Sequence, residues 1–439
     1  MQIAAKMKKV RLSFPVVAAI SISTLLATAA AVASDTAFPH IVIDAGSSST
    51  KIYLYEVKPG SYPEVKQTAT FKGVPGDEGV DNFLDHTGGI ERDLGPDGVG
   101  QALIAPLLEN VRPALEKLHG NTSSVTVDFL ATAGMRSALS PEGKHSPADA
   151  EFLYGEVRKA IVAAGFNVGE VRTTDGSSEE GLWTWIDVND RYRDAFRGNN
   201  PPVGVVEVGG SSMQVSFPAS AIVDPAASIY SIKINGKAFS VFVRTYLGLG
   251  SDDARRAMRA LDPPADGGAR CFPTGMNPTE DAGDIVNGAP TRISVSAKFD
   301  ASGCAAAYAT VLGSFFAITA PPEIELSNAP FYGIAAVRYA FEEMGASPQL
   351  PTREGLSAAI RKNCSKQDAV KNFDMRKKFS QQACSSASYI NALLYGPQGL
   401  FSKQPNLFKT TIADQVSVEP DIEGKISWTR GYLLQKYSE

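Results

Sequence analysis

The chain has 439 residues, 44% of them hydrophobic and 20% charged, the balance of a folded protein with two to three domains of roughly 150 residues each. Disordered, collagen-like and multi-span membrane proteins are thereby excluded. Forty-two basic against 47 acidic residues leave a net charge of −5, which argues against nucleic-acid binding through a broad basic surface.

Lys6, Lys8, Lys9 and Arg11 precede an uncharged apolar run from Leu12 to Ser34, which closes on Ala31-Val32-Ala33. This is the pattern of a cleaved secretory signal over residues 1–33. An uncleaved anchor is the alternative, with Pro15 and the Ala-rich cleavage pattern against it. Cleavage removes four basic residues and no acidic ones, leaving 406 residues with a net charge of −9. A protein this acidic needs a metal ion or a cradle of backbone N–H groups to hold an anionic substrate.

Ile41-Val42-Ile43 reads as a buried strand. It runs into Asp44-Ala45-Gly46-Ser47-Ser48-Ser49-Thr50-Lys51 and a second strand, Ile52 to Tyr55, as a hairpin. Phe71 to Gly100 is polar and Gly-rich. Val99 to Leu118 has helical spacing. Val125 to Leu130 is a strand leading into Ala131-Thr132-Ala133-Gly134-Met135-Arg136, and Pro147 to Ala164 is a helix closed by Gly165. The stretch from Thr173 to Gly181 reads as a loop carrying Asp175, Glu179 and Glu180. Leu182 to Val188 is helical or extended. Val203 to Val206 is again a strand, followed by Glu207-Val208-Gly209-Gly210-Ser211-Ser212-Met213-Gln214 and Val215-Ser216-Phe217.

The two turn sequences align. Asp44 stands opposite Glu207, Gly46 opposite Gly209, Ser47 opposite Gly210 and Ser48 opposite Ser211, at a constant offset of 163 residues. Each copy is apolar strand, acid, glycine, small residue, serine, strand. A tight turn of this kind points N–H groups and hydroxyls at a phosphate. The acid cannot usefully touch phosphate, but it can hold a hydrated hard cation that does. Two such loops from two similar lobes would clamp a polyphosphate across a cleft. No P-loop, Rossmann glycine motif or serine-hydrolase elbow is present.

The four cysteines, Cys271, Cys304, Cys364 and Cys384, lie in the C-terminal half and form no C-x-x-C. Three pairings are open; the local ones, Cys271–Cys304 and Cys364–Cys384, are expected in an oxidising compartment. Four scattered histidines offer little for a metal site or a catalytic triad.

These residues resemble the apyrase family of nucleoside triphosphate diphosphohydrolases. The resemblance rests on four blocks in order. They are Asp44 to Lys51; Ala131 to Arg136; Glu180-Gly181 with Trp185-Ile186 and Asn189; and Gly209-Gly210 with Ser212 and Gln214. Weaker echoes stand at Tyr246-Leu247, at Phe331-Tyr332 with Tyr339, and at Ala383-Cys384 with Tyr389-Ile390 and Ala392 to Leu394. The resemblance spans about residues 40 to 435. It implies the fold of the actin, hexokinase and chaperone ATPase superfamily, an α/β fold of two ribonuclease-H-like lobes around a nucleotide cleft. Lobe I would hold residues 36–170 plus about 405–439. Lobe II would hold 171–404 with both disulfides, which also look like family features.

Roles follow position by position. Glu180 matches the general base that activates water, and Ser212 and Gln214 match the residues that place it. Thr132 and the Ala133 backbone would lie near the terminal phosphate and the metal. Asp44 and Glu207 would hold Mg²⁺ or Ca²⁺ through water. Gly46, Ser47, Ser48, Ser49, Thr50, Lys51, Gly209, Gly210 and Ser211 would form the phosphate loops. Tyr339 is the candidate to stack on the base, and Arg136 is read as structural or supporting. Three departures are visible. Glu207 stands where the family usually has Asp. Ser49 stands where animal cell-surface members often have His. Gly250-Ser251-Asp252 replaces a basic or amide residue near the base.

The implied protein is a soluble secreted or periplasmic monomer. It takes nucleoside tri- or diphosphates as substrate, binds no nucleic acid, and keeps no membrane span once the signal is removed. Rival readings are a polyphosphate or guanosine-polyphosphate phosphatase and a nucleotide binder disabled by Glu207. Asn121-Thr122-Ser123 and Asn363-Cys364-Ser365 match glycosylation sequons.

Overall fold

The computed structural model describes residues 36–73, 79–86, 98–118, 121–219, 228–261, 268–276, 281–286, 289–292, 296–322, 324, 327–347, 349, 351–411, 415–419 and 422–438. The signal-peptide reading at 1–33 lies outside the described residues. Residues 34–439 form one compact unit.

Its first part holds β1 (Phe38–Ala45), β2 (Thr50–Lys58), β3 (Glu64–Lys72), α1 (Ala105–Lys117), β4 (Thr126–Ala131), α2 (Ala133–Ala138), α3 (Pro147–Ala163) and β5 (Asn167–Thr173). The strands make a sheet in the order β3-β2-β1-β4-β5, with β1 antiparallel to β2 and parallel to β4. Both faces of β1 are covered, which is why it reads as an unbroken apolar run. Ile41, Ile43 and Ala45 face a core with α1 and α3, while Val42 faces a second core.

The second part begins with α4 (Leu182–Arg191), β6 (Gly204–Val208), β7 (Ser212–Pro218), β8 (Ile229–Ile234), β9 (Lys237–Leu247) and α5 (Ser251–Leu261). The hairpin of β10 (Asp281–Val286) and β11 (Ala289–Arg292) follows, then α6 (Ala301–Ile318), β12 (Phe331–Ala335), α7 (Ala336–Glu343), α8 (Arg353–Cys364) and α9 (Lys378–Tyr395). Last come β13 (Phe408–Thr411), the hairpin of β14 (Gln415–Glu419) and β15 (Ile422–Lys425), and α10 (Trp428–Lys436).

The second sheet has the order β13-β12-β6-β7-β9-β8. From β9 to β13 it repeats the first sheet: three antiparallel strands, then two parallel ones. The fold is thus mixed α/β, two sheets of matching order flanked by helices. β13 still belongs to the second sheet, so the chain returns to the first with α10. There Tyr432 and Lys436 donate to Asp128 of β4 at 2.7 and 2.8 Å. Arg430 of α10 pairs with Asp187 and Asp190 of α4 at 2.8 and 2.7 Å. One buried core joins the sheets, built from Val42, Tyr53 and Tyr55 of the first, Val205 and Val243 of the second, and Trp185, Ile186, Trp428 and Leu433 of the helices between.

Both local disulfides are present, Cys271–Cys304 and Cys364–Cys384. The sequence is expected to keep no membrane span once the signal is removed. Yet among the described residues α6 is long and apolar enough to cross a membrane. Its Cys304, Tyr308, Val311 and Leu312 are buried in the second part's core, and Tyr308 shares a 2.6 Å hydrogen bond with Ser385 of α9.

Candidate active site

The internal repeat survives in the backbone. In the first hairpin Asp44 pairs with Lys51, and in the second Glu207 pairs with Gln214. The Gly46 N–H donates to the Ser49 carbonyl at 3.1 Å, and the Gly209 N–H to the Ser212 carbonyl at 2.9 Å. Each pair keeps the 163-residue offset. Both turns close in the same way and both open onto one cleft of about 270 Å³, close to the lower end of small-molecule sites.

The cleft wall contains Asp44, Gly46, Ser47, Ser48, Ser49, Lys51, Thr132, Ala133, Glu180, Glu207, Gly209, Gly210, Ser212 and Tyr339. Three expected residues stand behind it. Thr50 is buried in β2. The Ser211 side chain is buried and hydrogen-bonds Asp253. Gln214 is buried and donates through Nε2 to Ser212 Oγ at 2.7 Å. A second chamber of about 170 Å³ adjoins the loops, lined by Asp252, Tyr339, Glu343, Gln382 and Ser386 among others. Tyr339 is 46% exposed and borders both spaces.

Glu180 is not on a loop, as the sequence reading had it. Residues Gly176–Gly181 form a π-helical turn running into α4. Asp175 caps it, accepting from Ser177 N and Ser178 N at 3.0 and 2.6 Å. Gly181 permits the turn, because a Cβ there would crowd Val243 and the Gly176 carbonyl. Single π turns recur at functional sites because the inserted residue re-aims its neighbours. Of the adjacent acids, Glu179 is held by Arg172 in a two-pronged pair of 2.7 and 2.8 Å. Glu180 lines the cleft instead and accepts from Arg136 Nη2 at 2.6 Å.

Arg136 therefore stands against the candidate base. It reaches from α2 and also donates to Ser212 Oγ at 3.3 Å and to the Thr174 carbonyl and hydroxyl at 3.2 Å each. Ser212 Oγ accepts from both Arg136 and Gln214. Its lone pairs are engaged, so its one proton is left to donate into the cleft.

The two acids opposite each other in the repeat have different settings. Burial raises Asp44 to about 6; Lys51 opposes this, the Glu180 charge adds to it, and a hydrogen bond from the Trp428 side chain lowers it. Glu207 accepts from Thr184 Oγ1 of α4 at 2.6 Å. Among the described residues no cluster of three His, Cys, Asp or Glu forms a protein-only metal cage. Two carboxylates with hydroxyls around them suit a hard cation such as Mg²⁺, which keeps several waters and completes its shell with substrate phosphate oxygens. The donor set fits such an ion, and its side chains offer no softer donor.

Sequence reasoning missed several wall residues. Trp428 comes from α10, stacked on Trp183 with ring centroids 5.8 Å apart. Lys72 pairs with Lys51 across β2 and β3 and lines the same wall. Ala335 lines both chambers at φ 54°, a region that costs a residue with a side chain about 1–3 kcal/mol. None of the three carries a local sequence signal.

Known proteins resemble this chain over most of its length. The chain is 22% identical to human ectonucleoside triphosphate diphosphohydrolase 2, an alignment that covers 90% of this chain and 81% of that protein. It is 29% identical to the Golgi apyrase of Saccharomyces cerevisiae, over 49% of this chain and 36% of the apyrase. Among solved structures, the nucleoside triphosphate hydrolase of Neospora caninum shares the fold. The TM-score is 0.61 at 16% identity, with 92% of this chain and 93% of that one covered. A family model matches residues 33–439, a span that includes both loops, the Glu180 turn, Tyr339, both disulfides and Trp428. The chain belongs to the GDA1/CD39 (nucleoside phosphatase) family.

Proposed function

We propose that the protein hydrolyses the terminal phosphate of nucleoside tri- and diphosphates with a divalent cation, using water deprotonated by Glu180. The carrying observation is the set of Glu180, Arg136, Ser212 and Gln214 facing two register-matched phosphate loops. Arg136 orients the Glu180 carboxylate through one oxygen, leaving the other for a water proton. Gln214 and Arg136 fix Ser212, whose hydroxyl proton then holds that water in line with the terminal phosphorus. N–H groups of the two loops, with Lys51, Lys72 and the Thr132 hydroxyl, take up charge on the phosphoryl oxygens. Asp44 and Glu207 would hold Mg²⁺ or Ca²⁺ through water. Bound there, the ion neutralises polyphosphate charge. Tyr339 would stack on the base from the chamber beyond.

Lobe I is assigned to residues 36–170 together with α10, and lobe II to the chain between. Two disulfides and the N-terminal leader pattern support export to a secreted or periplasmic setting.

The test is phosphate release from ATP, ADP, GTP, GDP, UTP and UDP, with Mg²⁺, with Ca²⁺ and with chelator. Chelator-sensitive release is expected. Glu180→Ala should lower kcat about 10²–10⁴-fold and leave nucleotide binding intact; a variant that keeps more than about a tenth of the wild-type rate sinks the assignment. Release from polyphosphate alone, or metal-dependent binding without release, would replace this reading.

A further inference from the structure

The first turn of α5 touches both phosphate loops. Ser251 N donates to the Gly209 carbonyl at 2.8 Å, and Asp252 N and Asp253 N both donate to the Gly210 carbonyl, at 2.9 and 3.2 Å. This turn grips the second loop from behind. A Cβ on Gly250 would overlap the Gly210 backbone, so only glycine lets the turn seat so closely. From that seat Asp252 reaches across to the first loop, where Ser48 Oγ donates to its Oδ2 at 2.7 Å. The other carboxylate oxygen is held by Arg255, a fully buried guanidinium. The equivalent serine of the second loop, Ser211, hydrogen-bonds the next residue, Asp253. The same position of each repeat is thus bound to adjacent aspartates.

We propose that Asp252 is a positioning residue which, through Ser48, clasps the first phosphate loop to the second and sets their spacing for the polyphosphate. The inference rests on the nucleotidase reading for its substrate. A hydroxyl has one proton. While Ser48 gives it to Asp252, Ser48 Oγ presents only lone pairs to an anion. Ser48 is then no phosphate donor, and the phosphate is held by loop N–H groups and the neighbouring hydroxyls. The space between the loops is tight: a Cβ on Gly210 would overlap the hydroxyls of Ser47 and Ser48. Losing the clasp therefore changes how the two loops approach one ligand.

The experiment compares Ser48→Ala, Asp252→Ala, their double variant and Asp252→Asn in the full protein. Steady-state kinetics use ATP and ADP, and hydrogen exchange of the amides at 46–50 is followed without nucleotide. Either alanine variant should raise KM about tenfold, the scale of one hydrogen bond to a charged group, with kcat within about threefold. The double variant should be no worse than either single one. Asp252→Asn keeps a group within hydrogen-bonding reach of Ser48 and should restore KM to within about threefold. A merely structural Asp252 would lower stability without this KM split or the rescue. Ser48→Ala guards against misfolding, since it removes one atom from a loop. The clasp is overturned if the two effects multiply, or if Ser48→Ala raises KM while Asp252→Ala does not, the mark of a direct phosphate donor. Hydrogen exchange decides independently of turnover. Equal acceleration at 46–50 in both single variants supports the clasp, and unchanged exchange overturns it. A wild type that releases no phosphate would defeat the nucleotidase reading alone, leaving the exchange result to judge the clasp.

Discussion

The two phosphate loops share a backbone and differ in what surrounds it. In the first, Asp44 sits in a desolvated wall beside Lys51, with Trp428 hydrogen-bonded to it. In the second, Glu207 is steadied by Thr184, and the cross-strand partner in Lys51's place is Gln214, which turns to Ser212. On the proposed function, one copy handles charge and the other handles water. Repetition fixed the strand register and the turn, the parts that make a phosphate cradle. The side chains on that frame differ, and the proposed hydrolysis would use a metal and a nucleophilic water at different ends of the same phosphate.

This division can be broken most sharply at Arg136, a side chain that binds both Glu180 and Ser212. Arg136→Ala should cut kcat by about 10²–10³, the cost of losing one positioned donor in a closed site, with little change in nucleotide affinity. An unchanged kcat in steady-state assays would separate Arg136 from the water. A second test exploits equivalence. At Gly46 an added Cβ would lie 2.9 Å from the Ser49 carbonyl, but at Gly209 it would lie 3.5 Å from the Ser212 carbonyl. Gly46→Ala should weaken nucleotide binding about tenfold, since a 2.9 Å contact forces the turn to shift. Gly209→Ala should stay within about twofold, because 3.5 Å is ordinary contact distance. Equal losses would mean that the loops bear on the phosphate alike.

The acids give a pH test. Asp44 in the folded protein titrates at about 6, against 3.8 for its ordinary value. A raised folded value favours the protonated form. The metal-free protein should therefore gain stability from this group as pH falls below about 6, in full below 3.8, and lose it as pH rises through 6. A cation needs the ionised form. The Tm increase on adding Mg²⁺ should consequently be larger at pH 7.5 than at pH 5, and Asp44→Asn should flatten the difference. The smallest effect belongs to the strand-to-helix junctions. Thr132 after β4 has φ −110°, whereas Ala335 after β12 has φ 54°. Ala335→Gly should relieve that strain and change unfolding free energy by no more than about 1 kcal/mol, since glycine's extra chain entropy offsets much of the gain. Urea unfolding reads it directly.

Much of the site was legible because it is local. The acid, glycine and serine of each loop lie within eight consecutive residues, so their register is visible in the sequence itself. The cysteine pairs were also near neighbours in sequence. What escaped detection joins distant segments. Trp428 reaches Asp44 from nearly 400 residues away, and Asp252 reaches Ser48 across 204. The spacing of Arg136 and Glu180 says nothing of their contact. Glu180 was placed on a loop because hydroxyls and glycines dominate Gly176–Gly181, yet Asp175 caps those residues into a helical turn. The β8–β9 hairpin carries an Asn235-Gly236 turn signal between alternating strands.

Both disulfides fall between Cys271 and Cys384, and none touches the first sheet. They brace α6, α8 and α9, and α9 in turn backs the helix α7 that presents Tyr339. The first loop can thus form before any oxidant acts, whereas the wall of the second chamber depends on thiol chemistry. On the proposed roles, reducing the disulfides would loosen the wall that carries Tyr339 before it reached the first loop.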